Sequence, residues 1–341
     1  MDIRLKKEIE MTSVRRIGTF VALTMLLTGA SMAAAQPQEA RQNNLHNQVS
    51  NGPLPPRAEV KVDFAESFEG YGPALATAGA RFDETGAVLD GAAEVNESAD
   101  DVWALFDNAG TSSINSLWGG SIIGADTRTR VNPTTVYPAR AIALVTFNGG
   151  FCTGWFISAD TVATAGHCVH SGGTGGNWRS NVRVYPGRNG SSSPYGSCTA
   201  RQLYSVDGWT KSGLETHDYG AIKLSCTVGN TVGWFGFFWQ SASLTGLPTT
   251  IAGYPDDKPL TQWKSTGPVA VTQSRQIFYK NDTRPGQSGA PVYYNKAGCG
   301  QCSMAIHAYG VHGASPHSTN NHATRINDAV FNNLVAWKNA P

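Results

Sequence analysis

From residue 121 onward, apolar residues come in short runs set off by glycine, proline and small polar residues. Residues 141–147, 154–157, 161–164, 182–185, 221–224, 249–252 and 269–271 each carry three to seven residues of strand-forming character. No helical periodicity alternates with these runs, so the pattern predicts an all-β sandwich or barrel rather than a parallel α/β sheet. One helix is predicted at the end of the chain. Ile326, Val330, Leu334 and Trp337 recur at helical spacing, and Asn327 or Asp328 is placed to cap it. About 220 residues is ample for two small barrels, with the apolar region 234–239 near their junction at residues 230–240.

The first 120 residues have a different texture. Arg15 and Arg16 precede an apolar stretch from Ile17 to Leu27, and Ala33-Ala34-Ala35 supplies a small-residue cleavage site. Residues 1–35 therefore read as a secretory signal, too short in its apolar part for a transmembrane helix, with Met11 a candidate initiator. Residues 36–120 read as a propeptide whose Gln-, Asn- and Pro-rich opening is expected to be an unstructured linker. Charge divides at the same place. Residues 36–120 hold 13 Asp/Glu against 4 Lys/Arg, a net −9, whereas residues 121–341 hold 17 Lys/Arg against 9 Asp/Glu, a net +8. Such a division suits two parts that attract each other. The basic part lacks a stacking-aromatic motif or a recognition helix, so no nucleic-acid partner is expected. Six cysteines, an even number, fit an oxidising compartment and a secreted protein.

Candidate chemistry lies in three short motifs. Gly286-Gln287-Ser288-Gly289-Ala290-Pro291 presents a serine in a tight glycine-flanked turn, where the N–H groups of Gly286 and Ser288 can aim at one point beside the hydroxyl. Thr164-Ala165-Gly166-His167-Cys168 supplies an imidazole, and His217-Asp218-Tyr219-Gly220 a carboxylate ahead of an apolar run. A serine hydroxyl needs a base to take its proton during attack, and His167 is of the right type. Asp218 is the candidate to hold that imidazole in one tautomer, in preference to Asp207.

With its three motifs in the chain order His, Asp, Ser, the sequence resembles the chymotrypsin-fold serine proteases, and within them the glutamyl endopeptidases of bacilli and staphylococci. The resemblance spans residues 121–341. It includes Ser121-Ile122-Ile123-Gly124, which looks like a mature N-terminus, Cys152-Thr153-Gly154-Trp155, the Gly253-Tyr254-Pro255 turn, and Asp282-Thr283 ahead of the nucleophile. It implies two six-stranded antiparallel β-barrels with a C-terminal helix, a His167–Asp218–Ser288 triad and an oxyanion hole at Gly286 and Ser288. Ala305-Ile306-His307-Ala308-Tyr309-Gly310 resembles the pocket strand of that group. The likeness implies that His307, Thr283 and the freed amine of Ser121 receive the carboxylate of a P1 glutamate, with aspartate cut more slowly. Gly166 departs from the broader protease pattern, in which alanine is usual.

Asp282 opens an alternative. It lies six residues before Ser288, where trypsin-like enzymes carry the carboxylate for Arg or Lys. Composition favours glutamate, since residues 121–341 contain a single glutamate, Glu215, against seventeen Lys/Arg. A catalytically silent, protease-like binding protein is the third reading. The bond before Ser121 follows Gly120, so a glutamate-specific enzyme needs another protease there, or a first self-cut at Glu94 or Glu97 followed by trimming.

The resemblance further implies a Cys152–Cys168 disulfide. A local Cys299–Cys302 bridge would leave Cys198 with Cys226, and the Cys-x-x-Cys pair has redox or zinc binding as alternatives. His312, His317 and His322 lack a His-Glu-x-x-His helix and read as surface-loop residues. No metal and no cofactor is expected. The expected partners are protein and peptide substrates, with no stable membrane association and a monomeric state.

Overall fold

A computed structural model of the chain describes residues 45–58, 61–71, 81–82, 88–89 and 121–341. The signal peptide, Met11, Glu94, Glu97 and Gly120 lie outside the described residues.

Six strands form the first barrel: β1 Ile142–Phe147, β2 Gly150–Phe156, β3 Thr161–Thr164, β4 Arg183–Pro186, β5 Cys198–Val206 and β6 Gly220–Leu224. They run antiparallel in the order β5-β6-β3-β2-β1-β4, and β4 pairs with β5 to close the ring. A second set does the same: β7 Pro248–Gly253, β8 Trp263–Thr272, β9 Gln276–Tyr279, β10 Pro291–Lys296, β11 Gly300–Tyr309 and β12 Asn321–Arg325. Its order is β10-β7-β8-β9-β12-β11, closed by β10 on β11. Closure leaves neither barrel with a free edge. All six residues of β1 are buried, which is why it reads as an unbroken apolar run and not as an alternation.

The helix α1, Asp328–Lys338, is capped by Asn327, whose side chain accepts from the Val330 N–H at 3.0 Å. It packs on the first barrel. Trp337 stacks on Tyr204 at 5.7 Å between centroids, and Phe331 meets Phe237 at 5.2 Å. Disulfides join Cys152 to Cys168, Cys198 to Cys226 and Cys299 to Cys302.

The Gln/Asn/Pro-rich opening departs from the expected unstructured linker. Gln48–Ser50 is a strand on the outer side of β5, with Gln48 opposite Val206 and Ser50 opposite Tyr204. Phe64–Ala65 pairs with the strand Gly236–Phe238, which runs parallel to β11. Pairing with an existing barrel supplies the backbone partners that local sequence does not advertise. His46 strengthens the first contact. Its Nδ1 lies 2.9 Å from the Tyr219 hydroxyl, Arg275 donates to its Nε2 at 2.9 Å, and Asn333 donates to its carbonyl at 2.9 Å.

Candidate active site

His167 sits in the 3-10 turn Gly166–Cys168, directly after β3, and Asp218 directly before β6, the neighbour of β3. Two hydrogen bonds join them. The His167 backbone N–H donates to Asp218 Oδ1 at 2.8 Å, and His167 Nδ1 lies 2.7 Å from Asp218 Oδ2. A carboxylate only accepts, so Nδ1 carries the proton and Nε2 is the basic nitrogen. Asp218 is fully buried, and its Oδ2 also accepts from the Tyr309 hydroxyl. Burial, then the Asp218 charge, pushes the Tyr309 phenol well above its ordinary pKa, so it stays a donor. Arg179 fixes the turn from the other side, with Nε and Nη2 donating to the His167 carbonyl at 3.1 and 2.9 Å.

Gly166 lacks room for a methyl group. A Cβ there would lie 2.8 Å from Asp218 Oδ1 and 2.9 Å from Trp209 Cγ. The exchange of alanine for glycine thus matches the place taken by the Trp209 ring.

Ser288 lies at the barrel interface, between Gly286 at φ +90° and Gly289 at φ +87°, values that favour glycine. Gly289 touches the first barrel: a Cβ on it would be 2.1 Å from the Thr153 carbonyl and 2.2 Å from Thr164 Oγ1. Its N–H donates to the His307 carbonyl at 2.6 Å, and the Ser288 carbonyl accepts from the Thr153 N–H at 2.8 Å. These contacts bring the serine turn against the end of β3, three residues from His167. The Ser288 hydroxyl is 3.4 Å from the Ala308 carbonyl.

Beside this turn, Ser121 is held at three points. Its N–H donates to Asn321 Oδ1 at 3.0 Å, its carbonyl accepts from Asn321 Nδ2 at 2.7 Å, and its hydroxyl accepts from the Val311 N–H at 3.0 Å. The Thr283 N–H also reaches the Ser121 carbonyl at 3.3 Å. Thr283 Oγ1 is buried and has no hydrogen-bond partner among the described residues. His307 is buried on β11, with Nδ1 2.6 Å from the Tyr279 hydroxyl, and burial pushes its pKa down to about 3. Tyr279 is paired in register with Asn321, which sets the partner of His307 beside the residue that holds Ser121.

Asp282 faces elsewhere. Its Oδ1 accepts from the Ile123 N–H at 2.7 Å, and its Oδ2 from the Thr127 N–H at 2.8 Å and the Thr127 hydroxyl at 2.6 Å. The carboxylate is therefore spent on residues 121–127, a segment further tied down by Arg128, which bridges Asp126 and Asp257.

His322 corrects the surface-loop reading. It lies on β12 and is wholly buried, stacked on Tyr309 at 5.1 Å, whereas His312 and His317 are on the connecting loop. Sequence reasoning also missed Tyr309, Arg179, Tyr279 and Asn321. None of them carried a local signal, because each is distant in sequence from the residue it serves.

A trypsin family profile matches residues 129–335. Among curated relatives, the chain is 47% identical over 225 residues to a glutamyl endopeptidase of Bacillus licheniformis, covering 64% of this chain and 70% of that one. It is 40% identical over 277 residues to a Bacillus subtilis protein named extracellular metalloprotease, covering 75% of this chain and 86% of that one. A solved Glu endopeptidase structure in complex with MPD superposes with a TM-score of 0.58 at 31% identity, covering 64% of this chain and all of that one. Two closed six-stranded barrels, a buried His–Asp pair, a glycine-flanked serine turn packed against the end of β3, and these likenesses agree: the chain belongs to the trypsin family, serine endopeptidases of the chymotrypsin fold.

Proposed function

We propose that the chain is the secreted precursor of a serine endopeptidase that cuts after glutamate. In this reading residues 1–35 are the signal, 36–120 the propeptide and 121–341 the enzyme, acting on proteins and peptides as a monomer without membrane attachment. His167 Nε2 takes the Ser288 proton as Oγ attacks the scissile carbonyl, while Asp218 stabilises the imidazolium. The N–H groups of Gly286 and Ser288 receive the oxyanion. His167 then returns its proton to the leaving amine, and water repeats the sequence on the acyl-enzyme.

The observation that carries the specificity is the division of labour between Asp282 and its neighbour. Asp282 accepts three hydrogen bonds from Ile123 and Thr127, whereas the Thr283 hydroxyl is buried without a partner among the described residues. A carboxylate saturated by the chain itself is a poor receptor for Arg or Lys. A buried hydroxyl with no partner among the described residues, on a residue bonded to Ser121, suits an incoming carboxylate, which needs donors when it leaves water. His307 is neutral when the pocket is empty, and a P1 carboxylate beside it would draw its pKa upward. The relatives named glutamyl endopeptidase support the same reading. The metalloprotease name of another relative has no counterpart beside His167, because the neighbouring Cys152 and Cys168 are bonded to each other and offer no thiolate.

Profiling a peptide library with enzyme beginning at Ser121 tests the proposal. Cleavage chiefly after glutamate is expected, with His307→Ala lowering kcat/KM for such substrates roughly 30-fold or more. Cleavage chiefly after Arg and Lys would return the pocket to Asp282. Fluorophosphonate labelling that is lost in Ser288→Ala separates an enzyme from a silent binding protein.

A further inference from the structure

Glu215, His317 and His322 come from three separate stretches: the 3-10 turn Glu215–His217, the turn His317–Thr319, and β12. One ligand atom of each, a carboxylate oxygen and two imidazole nitrogens, lies within 4.8 Å of the other two. The most telling member is His322. Its ring is wholly buried, and among the described residues neither Nδ1 nor Nε2 has a hydrogen-bond partner. The nearest opposite charge to Nε2 is Glu215 Oε2 at 3.8 Å, too long for a hydrogen bond. Buried polar atoms in native proteins are normally satisfied, and an imidazole with two idle nitrogens beside a carboxylate and a second imidazole asks for a cation. His312 rounds off the cluster. It stacks parallel to His322 at 5.0 Å, with its Nε2 2.9 Å from Glu215 Oε1.

We propose that Glu215, His317 and His322 bind a zinc ion, with His312 or water as the fourth ligand. Two imidazoles and one carboxylate suit zinc; calcium and magnesium prefer oxygen donors throughout. Zinc–ligand bonds of about 2.0–2.2 Å place tetrahedral ligand atoms about 3.4 Å apart, so the cluster must contract on binding. His317 can supply that movement, because it sits on the loop between Gly310 and Asn320, whose residues from Val311 to Ser315 are exposed. His322, locked in β12, is the fixed post.

The site touches the catalytic pair through two routes. The Asp218 N–H donates to the Glu215 carbonyl at 3.2 Å, and His322 stacks on Tyr309, which donates to Asp218 Oδ2. Drawing Glu215 and His317 together therefore acts on the turn that positions Asp218. Zinc is expected to slow hydrolysis reversibly, as a brake and not as the hydrolytic metal.

The test uses full-length Ser288→Ala protein, which cannot cut itself, dialysed against zinc alone with the bound metal counted. About one equivalent should bind with a low-micromolar Kd, and zinc should raise the Tm. His317→Ala and Glu215→Gln should each weaken binding about tenfold or more and abolish the rise in Tm. Adding His167→Ala distinguishes zinc held by the catalytic imidazole, and binding should survive it. Absence of saturable uptake up to about 1 mM zinc, uptake unchanged in both ligand variants, or uptake lost with His167 would each overturn the site. In active enzyme, zinc should lower kcat/KM about fivefold or more, restored by a chelator. Turnover indifferent to a demonstrably bound ion would overturn the brake.

Discussion

Tyr309 donates its phenolic hydrogen to Asp218 Oδ2, the same oxygen that faces His167 Nδ1. With the His167 N–H on Oδ1, the buried carboxylate takes three hydrogen bonds from two residues of different barrels. Tyr309 is thus a positioning residue for the base. Tyr309→Phe removes one donor to a charged acceptor, a change of about 1.5–3 kcal/mol. A fall in kcat of about tenfold with little change in KM is expected. An unaltered kcat would leave Tyr309 a packing residue.

Asp282 should behave as a structural clamp. Asp282→Ala strands the donors of Ile123 and Thr127, each at a cost of about 1–3 kcal/mol where buried. The Tm should drop, residues 121–127 should become sensitive to an added protease, and KM for glutamate substrates should rise as Ser121 loosens. No Arg/Lys preference should vanish, because none should exist beforehand.

Gly166→Ala should cost both stability and rate. Its methyl group would press on Asp218 Oδ1 and the Trp209 ring at under 3 Å, and overpacking of this kind costs about 1–3 kcal/mol. Thermal melting and single-turnover kinetics together check the claim. A variant as stable and as fast as the parent would mean that Trp209 moves aside freely.

The contact of the early segment with the first barrel should weaken in acid. Burial, then the Arg275 charge, pushes His46 from 6.5 down to about 4, with His217 and the Tyr219 hydroxyl as its other close neighbours. The docked imidazole is neutral and the released one takes up a proton. The docking contribution is therefore complete above about pH 6.5 and lost as the pH falls through about 4. Ser288→Ala precursor nicked ahead of Ser121 should keep the segment on gel filtration near neutrality and shed it in acid. His46→Gln should flatten that dependence; retention at every pH would sink the idea.

The apolar strands and the helix were legible because burial of a continuous run leaves a compositional trace, as in β1. The serine turn was legible because a residue placed there needs glycines around it, and both flanking glycines take positive φ. β12 was not. Asn-His-Ala-Thr-Arg reads as a loop, yet all five residues are buried. Three of its four polar side chains have distant partners: Asn321 binds Ser121, Thr324 donates to the Asp218 carbonyl at 3.0 Å, and Arg325 reaches the carbonyls of Gln240 and Ala242. Local sequence records what a strand is made of, not which partners excuse its polarity. Asp282 shows the same limit, since its position suggested a receptor for substrate and its partners were residues 121–127.

The hold of Asn321 on Ser121 has a consequence for latency. The Ser121 nitrogen already lies 3.0 Å from Asn321 Oδ1 while it is still an amide of the uncut chain. In the proposed activation, a cut ahead of Ser121 would change what this atom carries: a neutral donor would become an ammonium group beside Asn321. Precursor and mature enzyme would then differ less in architecture than in electrical state. Latency of that kind is selective. It silences anionic substrates far more than neutral ones, and a small uncharged ester should report a competent nucleophile before the cut is made.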